Sequence, residues 1–331
     1  MGTSRGADRV TVMTQNMYVG TDADALIVAL ASPSPDDDLP ALFTALAILE
    51  QTDFASRAAA LADVIERERP HAVGLQEVSL IHVDLTAVGI PLVHLDFLAT
   101  LEAELAARGL NYVVAGSNLN FTAAPTPGIS LADSDVLLVD ADRVDIVAAA
   151  GHTFAINLGA VAPGVVLERG YVVADVTIDG RSIRFVTTHP EPDFGVSLAE
   201  LRAAQATELA SVIAEHPFVI VMGDLNDVPD SPLYEVLTGA GLVDVWRALR
   251  PGVDGFTDKH PYDLSNALPE FTARKDYIFV RGLPTPSGKV QGRIELYGDT
   301  PAERVTGAHG PIWVSDHAGV IATLLIPSAE K

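Results

Sequence analysis

The stretch Phe218-Val219-Ile220-Val221-Met222-Gly223-Asp224-Leu225-Asn226 decides how the chain is read. A short apolar run with β-branched side chains is a buried strand. This one stops at Gly-Asp-x-Asn, where a carboxylate and an amide follow directly on the apolar run. The pattern recurs along the chain. Val10–Thr14 leads through Gln15 to Asn16, Ala72–Leu75 through Gln76 to Glu77, and Phe185–Thr188 to His189. Asp276 opens the run Tyr277–Val280, and Asp316-His317 precedes Ala318–Leu325. Strand ends on one edge of a layered sheet structure can converge on one pocket. Buried carboxylates gathered there require a cation or a hydrogen-bond network, because an isolated buried charge is costly.

Between these runs lie helical patterns. Asp53 is an N-cap for a helix over Phe54–Arg69, with Ala58, Leu61, Ala62 and Ile65 at helical spacing and Pro70 as the stop. Leu95–Arg108, closed by Gly109, and Leu198–Glu215 are two more, and Asp22–Ala31 also reads as helical. Further strands are expected at Tyr112–Ala115, Asp135–Val139 and Val144–Ala148. Tyr171–Ile178 and Ser182–Thr188 form a hairpin on the two-residue turn Asp179-Gly180. Ser32–Asp38, Pro125–Gly128 and Pro284–Gly288 read as surface loops. Strands outnumber helices, with neither a βα repeat nor a Gly-rich phosphate loop. The expected fold is α+β: a four-layered α/β sandwich, two mostly antiparallel sheets face to face with helices outside. One domain over 1–331 is expected, with a lid insertion near 20–52.

Composition narrows the function. The 331 residues carry 21 Lys+Arg against 44 Asp+Glu, a net charge of -23. No basic cluster is visible, so a polyanion such as duplex DNA would be repelled, and a small phosphoester or lipid headgroup fits better. The absence of cysteine removes disulfides, thiolate metal sites and cysteine nucleophiles. No apolar h-region opens the chain, and no run of 18 apolar residues occurs. The expectation is a protein without a transmembrane segment, cytoplasmic or secreted after removal of a leader, and monomeric.

In order along the chain, Thr14-Gln15-Asn16, Leu75-Gln76-Glu77-Val78, Thr188-His189, Gly223-Asp224-Leu225-Asn226, Asp276-Tyr277-Ile278 and Ser315-Asp316-His317 resemble the motifs of the endonuclease/exonuclease/phosphatase superfamily. Deoxyribonucleases, abasic-site endonucleases, sphingomyelinases and inositol polyphosphate 5-phosphatases belong to that superfamily. The resemblance implies a metal-dependent phosphoesterase acting by in-line attack of an activated water. It implies that Glu77 and Asp316 ligate a divalent cation with support from Asn16. Mg²⁺ is the expected ion, with Mn²⁺ or Ca²⁺ as alternatives. It further implies that His317 accepts a proton or assists through its charge, held by Asp276. Asp224 would orient the water, and Asn226 and His189 would bind phosphoryl oxygens.

Each motif alone has a plainer reading. Glu77 could be a surface carboxylate, His189 a packed histidine, Gly223-Asp224 a turn and Asp316 a local cap. None of these accounts for the ordered set. There are departures as well. Pro190 follows His189 where the family usually has Leu, and Asp133–Leu137 replaces a segment that often contains Gly or Arg. His71 reads as structural, and Asp36-Asp37-Asp38 lacks the spacing of a Ca²⁺ loop. A Mg²⁺-dependent nuclease is the alternative within the class, and a noncatalytic binding protein on the same fold the alternative outside it. A zinc hydrolase is disfavoured by the lack of a His-x-x-x-His pair.

Overall fold

The expected hairpin shows how local chemistry sets the sheet. Asp179 and Gly180 both take positive φ, 49° and 78°, the left-handed geometry of a primed two-residue turn whose twist matches the flanking strands. They join Gly170–Ile178 to Arg181–Thr188 in antiparallel register, with Ile178 opposite Arg181.

This computed structural model describes residues 8–23, 25, 26, 29, 38–283 and 289–326. In chain order the elements begin with β1 (Asp8–Asn16), α1 (Asp38–Gln51), α2 (Phe54–Glu68), β2 (Ala72–Val83), β3 (Val93–Asp96) and α3 (Phe97–Ala107). Then come β4 (Tyr112–Thr126), β5 (Ile129–Asp140), β6 (Asp145–Thr153), β7 (Gly159–Ala162), β8 (Val165–Leu167), β9 (Gly170–Ile178) and β10 (Arg181–Thr188). After α4 (Ala199–Ala214) follow β11 (Val219–Asp224), α5 (Pro232–Gly239), β12 (Val243–Asp244) and α6 (Val245–Leu249). The chain closes with β13 (Asp276–Arg281), β14 (Gly292–Tyr297), β15 (Val305–Gly307), β16 (Gly310–Ile312) and β17 (Gly319–Ile326).

A nine-stranded sheet runs β14-β17-β1-β2-β5-β4-β8-β7, with β3 paired to β2, and a six-stranded sheet runs β12-β13-β11-β10-β9-β6. Among the described strands, β1 with β2 and β10 with β11 pair in parallel and every other pair is antiparallel. The period of two along a strand assigns side chains to layers. Val10, Val12, Leu137 and Val139 face Val172, Phe185, Ile220 and Ile278 in the core between the sheets. Met13, Val73, Leu75 and Leu138 point the other way, onto Ala58, Leu61, Ile65, Leu101 and Leu105 of α2 and α3. Val219, Val221 and Phe279 meet Leu209 and Ile213 of α4 and Leu233 and Leu237 of α5. Helix, sheet, sheet, helix is the expected four-layer sandwich.

Three expectations are corrected. Glu77 does not end a strand: β2 continues to Val83, and Glu77 sits in a bulge where the register with β5 shifts between Leu75 and Val78. The helix expected from Leu95 starts at Phe97, because Asp96 caps it by accepting from the Ala99 N–H, and Val93–Asp96 is a strand. Pro125–Gly128 is no free loop, since β4 runs on to Thr126 and turns at Gly128 (φ 85°) into β5. Half of Asp22–Ala31, nearly all of Ser32–Asp38 and all of Pro284–Gly288 lie outside the described residues.

Candidate active site

Six sheet strands deliver polar side chains to one rim. Asn16 ends β1, His189 follows β10, Asp224 ends β11, Asp276 begins β13 and Asp316-His317 precedes β17. Glu77 reaches the same rim because the bulge holds it at φ 54°, re-aiming the side chain as bulges beside active sites do. Gly223 makes the β10–β11 approach possible: a Cβ there would stand 2.0 Å from the Thr188 carbonyl oxygen.

At the centre, His317 Nδ1 donates to Asp276 Oδ2 at 2.8 Å. Asp224 Oδ2 lies 3.7 Å from the same nitrogen and 3.6 Å from His189 Nε2. Asn16 ties two carboxylates together, its Nδ2 donating to Glu77 Oε1 at 2.9 Å and to Asp224 Oδ2 at 3.1 Å. The Val19 N–H donates to Glu77 Oε2 at 2.8 Å, and the Asn226 N–H to Asp224 Oδ1 at 2.8 Å. Asn226 Nδ2 donates to the carbonyl of Pro190, at 3.0 Å. The proline departure after His189 therefore leaves the backbone acceptor that orients Asn226 in place.

Burial and charge separate the protonation states. Burial alone disfavours the charged imidazolium of His317, but Asp276, Asp224 and Asp316 outweigh it and hold its proton affinity well above the ordinary histidine value. Burial would raise Asp224, yet His317 and His189 bring it down to about 2. Burial lifts Asp276 to about 6 despite its bond to His317. Burial and nearby Glu77 push Asp316 up to about 7, although His317 pulls it down. His189 lies against Arg169 Nη1 (3.2 Å) and Asp135 (3.7 Å). Burial and Arg169 oppose its proton, while Asp135 and Asp224 favour it, with a net rise.

Glu77, Asp224, Asp316, His189, Asn226 and His317 line one cavity of about 710 Å³. Asp276 and Asn16 reach it through their bonds to His317 and to Glu77 and Asp224. All eight residues singled out in the sequence thus meet in one connected group. Others at the site escaped sequence reasoning. Asp258 Oδ1 stands 3.4 Å from His317 Nε2, while Asp258 Oδ2 pairs with Lys275 at 2.7 Å. Asp133, raised to about 7 by burial and Glu77, accepts from Ser79 at 3.1 Å. Lys259 and Arg169 also line the cavity. The one available signal was Arg274-Lys275 directly before the buried strand at Asp276. Asp258 lies in a segment with no periodicity at all.

The donors suit a hard divalent cation. Glu77 and Asp316 offer oxygen donors, and burial together with the Glu77 charge raises Asp316. A cation between them offsets the repulsion of the two carboxylates. Asp224, Asp276 and His317 also lie close enough to share an ion. The protonated ring of His317, bonded to Asp276, is a poor ligand, so Glu77 and Asp316 are the better-suited pair.

The profile of the endonuclease/exonuclease/phosphatase family matches residues 13–317. No curated protein sequence matches the chain. Among solved structures, an endonuclease/exonuclease/phosphatase family protein from Bacteroides thetaiotaomicron is similar at 17% identity with a TM-score of 0.59, covering 98% of this chain and 97% of its own. A humanised TDP2 from D. rerio is similar at 18% identity with a TM-score of 0.57, covering 96% of this chain and 98% of its own. A mannosyl-6-phosphatase from Bacteroides thetaiotaomicron is similar at 17% identity with a TM-score of 0.56, covering 96% and 100%. At these identities the likeness speaks for the fold, and the profile match speaks for descent. The chain belongs to the endonuclease/exonuclease/phosphatase family.

Proposed function

We propose that this protein is a divalent-metal-dependent phosphoesterase that hydrolyses a small phosphodiester or phosphomonoester by in-line attack of water. The observation that carries the reading is the His317–Asp276 bond of 2.8 Å beside ionised Asp224, in a cavity shared with Glu77 and Asp316. Asp224, kept as a carboxylate, orients the attacking water and draws on its proton. The imidazolium of His317, steadied by Asp276, hydrogen-bonds a phosphoryl oxygen as negative charge accumulates there. His189 and Asn226 hold the remaining phosphoryl oxygens. Glu77 and Asp316 would hold Mg²⁺, with Asn16 keeping the Glu77 carboxylate in position. A divalent cation bound there supplies charge neutralisation and polarises the phosphoryl group. All these side chains come from one chain, so a monomer suffices. Thr21, Asp22 and Ala23, at the start of the segment expected to be a lid insertion, line the cavity.

A nuclease reading lacks a specific support. Eight acidic side chains line the cavity among the described residues, against Arg169, Arg202, Lys259, Lys275 and the imidazolium of His317. A polyanionic strand calls for the opposite balance. The test is hydrolysis of bis-p-nitrophenyl phosphate with and without Mg²⁺. Metal-dependent turnover that falls about 10²- to 10⁴-fold in His317→Ala, with the circular dichroism spectrum unchanged, is the expected result. Near-normal turnover in that variant would refute the role of His317.

A further inference from the structure

One wall of the cavity plays no part in the chemistry above. Phe121, Leu131, Val161, Val165, Leu167 and Phe194 line it, together with Leu158. Three of these are left partly open, with Leu158 38% exposed, Val161 47% and Phe194 37%. Phe121, Val165 and Leu167 form a packed cluster of their own with Ala123, backed by Leu131 and Ala162. Phe121, Val161, Val165 and Leu167 are carried by hydrogen-bonded strands, β4 against β8 and β8 against β7, and Leu131 by β5 paired to β4, so this part of the lining stands preformed, with Leu158 and Phe194 added from the adjoining segments. A second cavity of about 60 Å³, lined by Leu42, Leu46, Leu49, Ile81 and Val83 among others, shares Val19, Thr21, Ala23 and Leu131 with the first. A side cavity lined by apolar groups stays dry and accepts apolar atoms.

We infer that this wall is a subsite for an apolar substituent of the substrate, so that the preferred ester is a singly phosphorylated amphiphile with an alkyl or acyl chain. The inference rests on the phosphoesterase reading, which it deepens. The charge balance points the same way. The Lys, Arg and His317 cations of the cavity are matched by its acidic side chains, so they leave little surplus positive charge for a second or third phosphate, whereas an apolar group gains by leaving water. A sugar or nucleoside would leave its hydroxyls or base edges against Val161, Val165, Leu167 and Phe194 without hydrogen-bond partners from these side chains.

The test separates binding from turnover. Methyl- and hexylphosphonate, whose C–P bonds are not hydrolysed as esters, are titrated into the metal-supplemented protein by calorimetry. Affinity should rise about three- to fourfold for each methylene that enters the subsite, so hexylphosphonate should bind tens to hundreds of times more tightly. Val161→Glu and Phe194→Glu, both at partly exposed positions that tolerate the change, should bring the hexyl-to-methyl ratio close to one. Ile146→Glu, an exposed position on β6 away from the cavity, should leave that ratio as it is. Equal affinity for the two phosphonates, or a ratio untouched by both cavity variants, overturns the subsite even if bis-p-nitrophenyl phosphate is hydrolysed. Loss of turnover on p-nitrophenyl esters with the chain-length dependence intact would instead count against the phosphoesterase reading alone. Cosedimentation with phosphatidic acid vesicles places the amphiphile in a bilayer. Phosphonate binding without cosedimentation identifies a free ester, and either outcome supports the subsite.

Discussion

His71 and Asp276 show how burial turns single side chains into measurable switches. His71 lies at the join of α2 and β2, accepting the Thr11 N–H at Nδ1 (3.1 Å) beside the Arg143 guanidinium. Burial and Arg143 push its pKa from 6.5 down to about 4. The folded chain therefore binds fewer protons than the unfolded chain between these values. The stability contributed is complete above the unfolded pKa and is lost as pH falls through the window, by about 3 kcal/mol at most. Urea denaturation of the wild type and His71→Gln between pH 7 and pH 4 should show a steeper acid loss in the wild type. The raised carboxylates Asp316 and Asp133 tilt stability the other way, but they do so in both proteins, so the difference isolates His71. At the reacting centre, Asp276→Asn removes the carboxylate charge that favours the His317 imidazolium and leaves only a neutral amide beside the ring. It should lower kcat by about 10²- to 10⁴-fold, with a smaller change in KM, in a Mg²⁺-supplemented phosphodiesterase assay.

At the level of elements, two features hold the rim in shape. Among the described residues, Arg57 of α2 is buried without an acidic partner in hydrogen-bond contact. It donates instead to the carbonyls of Thr52 (2.8 Å), Met17 (2.5 Å), Tyr18 (3.2 Å) and Val314 (3.2 Å). The Met17 and Tyr18 carbonyls follow Asn16 and the Val314 carbonyl precedes Asp316, so a helix side chain ties together the two segments that carry Asn16 and Asp316. Arg57→Met leaves those acceptors buried and unpaired, and should cost about 3 kcal/mol of stability in urea titration. The β10–β11 contact is the second feature. Gly223 has φ 151° and no room for a Cβ against the Thr188 carbonyl. Gly223→Ala should force β11 away from β10, costing a similar amount and moving Asp224 relative to His189. Activity should then fall further than the stability loss alone explains, measured at a temperature where the variant is fully folded.

For the whole molecule, the net charge of -23 and the acidic cavity lead to the prediction that a divalent cation stabilises the folded chain. An ion that binds the folded chain alone stabilises it by mass action, about 2.7 kcal/mol at a hundred times its dissociation constant. Scanning calorimetry should show the melting temperature rising by a few degrees on adding millimolar Mg²⁺ or Mn²⁺ and returning with chelator. Glu77→Gln should lose most of that shift, since it removes one of the two carboxylates proposed to hold the ion. A shift of undiminished size in that variant would place the ion elsewhere.

Much of the site was legible in the sequence because strands end where their apolar runs end. Asn16, His189, Asp224, Asp276 and His317 each stand at such a boundary, and hydrophobic patterning alone marks it. The four-layer fold follows from the same patterning, since strands apolar on both faces need cover on both. What tertiary structure alone decided is everything set by pairing across distant chain segments. The bulge that turns Glu77 to the rim depends on the register of β2 against β5. Asp258 reaches His317 from a segment without periodicity. The cluster of Phe121, Val165 and Leu167 at the cavity exists only where β4 and β8 align. Local patterning fixes which face of a strand is buried; which strands become neighbours is a matter of long-range contacts that no window of sequence contains.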